Sequence, residues 1–296
     1  MIKKVLLWSL GIAVTLVVIG GGIAAFALHN TTSKIHSMDS TLSQASDMKT
    51  KAGKSVAYLL LGTDTGALGR TEKGRTDTMM VMTVNPNTKT TTMASLQRDT
   101  KITIDGVTEK LNAAYALGDA KQAMTTVEQL LDIKLDGYFL VNMKGLEQLV
   151  DAVGGVTVKS PLTFSYEGYS FTENQDVTMN GTETLAFSRM RYDDPRGDYG
   201  RQIRQQSVIE AVMNKLKADP KSALNNDFLD AVSDNVRSNI SLTSMPNLAT
   251  KYRDAGETIN RDQMTGTGVM IDGVSYQEMS QDEITRIHNE IVNAEK

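Results

Sequence analysis

Val56-Ala57-Tyr58-Leu59-Leu60-Leu61-Gly62 is the stretch on which the fold turns. A short apolar run closed by glycine reads as a strand buried on both faces. Residues 78–84 and 90–96 read as two more strands, joined by a turn at Asn85-Pro86-Asn87. Residues 138–141 and 156–158 have the same character. Elsewhere the apolar period changes to that of a helix. Residues 121–131 set Met124, Val127, Leu130 and Leu131 on one face. Residues 143–153 do the same with Leu146, Leu149, Val150 and Val153, and stop at Gly154-Gly155. Helices are also expected over 180–190, over 199–218 before Asp219-Pro220, over 222–236, near 246–255 and from Gln281 onward, with a strand near 266–271. Strands and helices alternating through residues 56–296 predict one α/β domain, a single mixed sheet with helices on both faces.

Residues 5–28, VLLWSLGIAVTLVVIGGGIAAFAL, carry no charge and can cross a hydrocarbon layer of roughly 30 Å as a helix. Lys3 and Lys4 precede the run, and the next basic residue beyond a polar stretch is Lys34. Residues 1–28 are therefore expected to form a cytoplasmic tip and a transmembrane signal-anchor helix, single-pass, with everything after it outside the cytoplasm. Ala25-Phe26-Ala27 resembles a signal-peptidase site, but a cleaved apolar region is usually shorter. Residues 29–55, rich in Ser, Thr, Lys and Asp, read as a stalk.

Composition narrows the chemistry. The net charge of −4 gives no general attraction to nucleic acid, so an anion site must be a local cluster. The chain has no cysteine, which excludes disulfides, thiolate metal sites and cysteine nucleophiles. Its three histidines, His29, His36 and His288, lie away from the polar motifs. Carboxylates must therefore do any acid–base or metal work.

Four polar clusters interrupt the apolar pattern. Leu61-Gly62-Thr63-Asp64 sits at the C-terminal end of the first strand, where α/β sheets bind ligands. Gly74-Arg75-Thr76-Asp77-Thr78 precedes the second strand, and Ser95-Leu96-Gln97-Arg98-Asp99-Thr100 follows the third; antiparallel pairing would bring those ends to a common edge. The fourth, residues 188–206, holds five arginines and no lysine. Guanidinium groups pair bidentately with phosphate oxygens. Two carboxylates, Asp64 and Asp77, with phosphate oxygens and water, are how Mg²⁺ is usually held. Together these groups suit a pyrophosphate. Each cluster also has a plainer reading. Gly-x-Asp is often only a turn, and Arg interleaved with Asp is often a salt-bridged helix face. Ser95 and Thr78 are better strand residues than nucleophiles, since no histidine stands by to activate them.

The motifs LLLGTD, GRTDTMMV, SLQRDT, KLNAAYA and FSRMRYDDPRGDYGRQIRQQ, in that order within residues 56–217, resemble the LytR-CpsA-Psr family of bacterial cell-wall proteins. Gln97 departs from the proline usual in that family's S-I-P-R-D-like motif. The resemblance implies a phosphotransferase at the cell membrane of a Gram-positive-type bacterium. It would move a glycopolymer (teichoic acid, capsular or exopolysaccharide) from an undecaprenyl-pyrophosphate carrier to the C6 hydroxyl of N-acetylmuramic acid in peptidoglycan. By motif match, Asp64 and Asp77 would hold Mg²⁺ or Mn²⁺. Arg75, Arg98, Arg189, Arg191 and Arg201 would hold the pyrophosphate, with Lys110, Asn112 and Gln205 lining the site. Asp99 or Asp198 would orient Arg98 or take the acceptor proton. The lipid would enter an apolar groove between helices, whose residues the sequence does not assign. Hydrolysis of the same pyrophosphate, a non-catalytic carrier and a membrane-bound transcription attenuator are the alternatives. The last needs a cytoplasmic nucleic-acid surface, and only two lysines are expected inside.

Overall fold

The computed structural model describes residues 53–63, 74–219, 222–240, 252 and 254–296. The expected membrane helix, most of the stalk, Asp64 and most of the expected 246–255 helix lie outside them. Among the described residues no helix is long and apolar enough to cross a membrane.

Apolar alternation builds one central sheet. Its strands are β1 (Val56–Thr63), β2 (Thr76–Asn85), β3 (Thr90–Ser95), β6 (Gly137–Asn142), β11 (Val236–Ser238) and β12 (Thr258–Gln263), ordered β11-β6-β1-β2-β3-β12. β1 runs parallel to β6 and antiparallel to β2, and β12 runs parallel to β3. The C-terminal ends of β1, β3, β6 and β12 therefore meet the start of β2 at one sheet edge. Gly62 permits this at β1: a Cβ there would lie 2.9 Å from Thr78 Cβ, and the pairing register slips between Gly62 and Thr63.

Both faces are covered. Ala57, Leu59, Leu61, Met79 and Val81 pack under α1 (Ala113–Leu131) and α6 (Gln281–Glu295). Tyr58, Met80, Met82, Val84 and Phe139 point to the other face. There they meet α2 (Met143–Ala152), α3 (Gly181–Arg189), α4 (Asp198–Ala218) and α5 (Asn226–Asn235). Side-chain caps set the starts of α2, α3, α5 and α6, where Asn142, Asn180, Asn225 and Ser280 accept hydrogen bonds from the first turn. The mixed sheet with helices on both faces is as expected.

Three differences from the sequence expectation have local causes. α1 begins at Ala113, eight residues earlier than its apolar stripe, because non-helical Gly118 and Asp119 kink it and put its first part out of phase. The expected 222–236 helix divides into a single turn (Ser222–Leu224) and α5, since Asn225 caps α5, and its last residue opens β11. Small hairpins also flank the sheet: β4 (Lys101–Ile104) with β5 (Val107–Lys110), β8 (Phe164–Tyr166) with β9 (Tyr169–Phe171), and β13 (Thr267–Ile271) with β14 (Val274–Glu278). β7 (Val156–Lys159) pairs with β10 (Asp176–Met179).

Candidate active site

The sheet edge described above carries the charged residues. Arg98 follows β3 on a loop pinned from two sides: Asn112 N donates to Arg98 O at 3.0 Å and Gln277 N to Asp99 O at 2.8 Å. Gln97 is buried, and its side chain donates to Gln202 Oε1 at 3.3 Å, while Gln202 Nε2 donates to Leu96 O at 3.1 Å. The loop bearing Arg98 is thereby tied to α4, which supplies Asp198, Arg201 and Gln205.

The charges interlock. Arg98 Nη1 donates to Asp77 Oδ1, and its Nε lies 3.5 Å from Asp198 Oδ1 and 3.8 Å from Asp99 Oδ2. Lys110 Nζ sits 2.9 Å from Asp99 Oδ1. Arg201 Nη2 lies 2.6 Å from Asp198 Oδ1 and donates to Asp77 O at 3.0 Å. Burial opposes the charge on both guanidinium groups. At Arg98 the pull of Asp198, Asp77 and Asp99 outweighs it and the pKa rises. At Arg201 burial wins, helped by the nearby Arg98, and the pKa falls despite Asp198. Arg201 is therefore a buried cation that a further anion would stabilise. Several buried polar atoms here also lack a hydrogen-bond partner: Arg98 Nε, Arg201 Nε, Asn112 Oδ1, Gln205 Oε1 and both Asp198 oxygens, whose contacts are ion pairs without hydrogen-bond geometry. An oxygen-rich ligand with its water would satisfy the donors among them.

Behind this cluster a cavity of about 500 Å³ runs between the sheet and the helices. Its walls are apolar: Met82 and Phe139 from the sheet, Leu146 and Leu149 from α2, Val208 and Val212 from α4. Leu146, Leu149 and Val212 belong to the core of this face yet stay only partly buried. Among the described residues, the charged residues in the lining are four arginines, Arg98, Arg189, Arg191 and Arg201, and one carboxylate, Asp77. The chamber can hold a long apolar chain whose head group is a compact anion.

The other expected site residues sit differently. Arg75 is not in the cavity lining; its side chain is about half exposed, 3.9 Å from Glu109. Lys110 contacts Asp99 rather than the cavity. Asn112 is buried at the start of α1 and supports Arg98 through its backbone. Arg189 pairs with Glu167 at 2.9 Å, and Gln205 lines the cavity.

The fourth polar cluster divides. Arg204 is fully buried and holds its own loop together. Its Nε donates to Phe187 O at 2.9 Å, its Nη2 to Met190 O, and its Nη1 to Asp194 Oδ2 at 2.5 Å. Asp194 also accepts from Arg196 N at 2.9 Å. Burial raises the Asp194 carboxyl, but hydrogen bonds from Arg196 N, Arg204 and the Arg196 side chain outweigh it and hold the pKa below the usual carboxylate value. The sequence gives no sign that Arg204 is structural, since it stands in the same run as the arginines that line the cavity.

Among the described residues no cluster of three or more Asp, Glu or His side chains could hold a metal. Asp77 nevertheless borders the cavity mouth with its carboxylate 29% exposed. Mg²⁺ commonly takes one or two protein carboxylates and completes its shell with phosphate and water oxygens. The donor present fits an ion that arrives with a phosphate ligand.

This architecture recurs in known proteins. A Streptococcus agalactiae protein of known crystal structure superposes with a TM-score of 0.76 and 38% identity, over 84% of this chain and 90% of that one. The Enterococcus faecalis protein named polyisoprenyl-teichoic acid–peptidoglycan teichoic acid transferase TagU is 48% identical over 239 residues, 80% of this chain and 78% of its own. The Bacillus subtilis protein of the same name is 36% identical over 98% of this chain and 95% of its own. The LytR_cpsA_psr family model matches residues 23–293. The chain belongs to the LytR-CpsA-Psr family.

Proposed function

We propose that this chain transfers a glycopolymer, teichoic acid in the first instance, from a polyprenyl-pyrophosphate carrier to the C6 hydroxyl of N-acetylmuramic acid in peptidoglycan. One observation carries the reading: an apolar cavity of about 500 Å³ is lined, among the described residues, by four arginines and one aspartate as its only charged groups. The relatives named as teichoic acid transferases point to the same substrate class. Residues 5–28 would anchor the chain in the cytoplasmic membrane with this domain outside the cytoplasm, within reach of both lipid carrier and wall.

In this mechanism the polyprenyl chain lies among Met82, Phe139 and Val208, and the diphosphate rests on Arg98 and Arg201. The acceptor hydroxyl attacks the sugar-side phosphorus. The new phosphorus–oxygen bond forms as the bond to the bridging oxygen breaks, and polyprenyl phosphate leaves. Fixed guanidinium groups in a partly buried site stabilise the charge that moves onto the bridging oxygen. Asp99 is the better acceptor for the hydroxyl proton. It is 26% exposed and steadied by Lys110, whereas Asp198 is locked between Arg98 and Arg201. Asp77, with Asp64, would hold a Mg²⁺ that neutralises phosphate charge.

The test uses the full chain in vesicles with a lipid-linked teichoic acid precursor and peptidoglycan oligomers. The expected products are a polymer–peptidoglycan phosphodiester and polyprenyl monophosphate. Release of free polymer phosphate without an adduct would reassign the site to hydrolysis, and binding without turnover would make it a carrier.

A further inference from the structure

The lipid and the diphosphate account for the cavity and its arginines, but not for Tyr192. This residue lines the same cavity, yet it is 87% exposed. It sits between Arg191 and Asp193, immediately beside the arginines that face the diphosphate. Arg191 Cζ lies 4.8 Å from the centre of the Tyr192 ring, so one side of the ring is backed by a guanidinium group.

The loop under Tyr192 is firmly fixed. Arg204 grips it at Phe187 O, Met190 O and Asp194, and Asp194 N donates to Arg191 O at 3.3 Å. These contacts bracket Tyr192 on both sides. A buried arginine spent on the backbone of a surface loop makes sense if the loop must present something in a set place. A ring on such a loop is ordered before a ligand arrives, which lowers the entropic cost of stacking on it.

Geometry then limits what the ring can meet. The apolar chain runs inward from the mouth and the diphosphate occupies the arginines, so the sugar bonded to the diphosphate must emerge beside Arg191. We propose that Tyr192 is a stacking platform for the first pyranose ring of the glycopolymer, and so a residue that selects sugar-bearing carriers over bare ones. This rests on the lipid-diphosphate reading of the site. A pyranose presents an apolar C–H face, and a tyrosine ring offers a flat apolar surface with a polar tip.

The test compares two probes on the full chain in detergent: geranylgeranyl diphosphate, and geranylgeranyl diphosphate carrying one hexosamine. Tyr192→Ala removes the flat apolar surface under the C–H face and should weaken the sugar-bearing probe on the order of tenfold. Affinity for the bare diphosphate should stay within twofold. Tyr192→Trp should keep the preference for the sugar-bearing probe, and Tyr192→Leu, apolar but not flat, should lose it. Thermal unfolding should not move in any of the three, because the side chain is exposed. Equal loss on both probes would overturn the platform and make Tyr192 part of diphosphate binding. Unchanged affinity on both would overturn it too. Weaker binding of Tyr192→Ala to phosphatidylglycerol vesicles free of substrate, with both probe affinities intact, would make the ring a membrane contact. If the unmodified protein binds neither probe, the lipid-diphosphate reading itself fails and the platform with it.

Discussion

Replacing Asp194 with alanine should unfold this domain far more easily than its place in an Asp-rich surface loop implies. Both side chains of the Asp194–Arg204 pair are completely inaccessible to solvent. Asp194→Ala therefore leaves a buried guanidinium without its counter-charge, a loss of about 3–5 kcal/mol. With a urea slope near 3 kcal/mol/M for a domain of this size, the midpoint should drop by roughly 1–2 M. Replacing both partners by apolar residues, Asp194→Leu with Arg204→Met, removes the unpaired charge and should recover only part of that stability, because Phe187 O, Met190 O and Arg196 N lose their partners. The doubly substituted protein should still transfer poorly, because Phe187 O and Met190 O lose the donor that fixes the loop carrying Arg191 and Tyr192. The pH dependence has a definite sign. The folded Asp194 carboxyl lies below its usual value. Its contribution is thus complete above the unfolded pKa of about 3.9 and fades as pH falls through the lower folded value. The gap between the unmodified protein and Asp194→Ala should accordingly narrow in strong acid. Urea melts at neutral pH and in acid measure both effects. A loss under 1 kcal/mol, or a gap that widens in acid, would refute the reasoning.

Other perturbations separate stability, head-group binding and lipid binding. Gly200→Ala places a Cβ 1.8 Å from Asp194 Oδ2, so it should reproduce part of the Asp194→Ala phenotype, about 1–3 kcal/mol in the same melts. Arg98→Ala should lower the single-turnover transfer rate about 10²–10³-fold while circular dichroism shows a folded protein. Arg98→Lys should recover little, because an ammonium cannot span Asp77, Asp198 and a phosphate together. Val208→Trp should fill the apolar cavity and abolish binding of geranylgeranyl diphosphate while leaving that of inorganic pyrophosphate intact; equal affinity of the variant and the unmodified protein for the lipid would remove the cavity from the account.

The central strands are legible in the sequence because they are short apolar runs with clear stops, and β1, β2 and β3 fall on the expected residues within two positions. The convergence of Asp77, Arg98, Asp198 and Arg201 follows from the strand directions. Antiparallel β2 and β3 bring the start of one and the exit of the other together, and α4 lies across that edge. The hairpins are less visible because their strands are only three to five residues long. Two of them nevertheless carry a readable turn signal, Asp105-Gly106 and Asp272-Gly273, with positive φ at both residues.

The cavity itself could not be read from the chain. Leu146 and Leu149 on α2 fall on the same stripe as buried Val150. A helix stripe that faces a cavity and one that faces a packed core have the same sequence period. Arginine roles are hidden for a similar reason. Arg201 and Arg204 are one turn apart on α4, but one meets the carboxylates of the sheet edge while the other is sealed beneath the loop.

The account stands or falls on where a polyprenyl diphosphate binds. A crystal structure of the protein with geranylgeranyl diphosphate measures this directly. The prediction is phosphate oxygens within hydrogen-bonding distance of Arg98 and Arg201, with the chain running between Phe139 and Val208. A diphosphate bound away from both arginines, or a hydrocarbon chain lying outside the cavity, would contradict it.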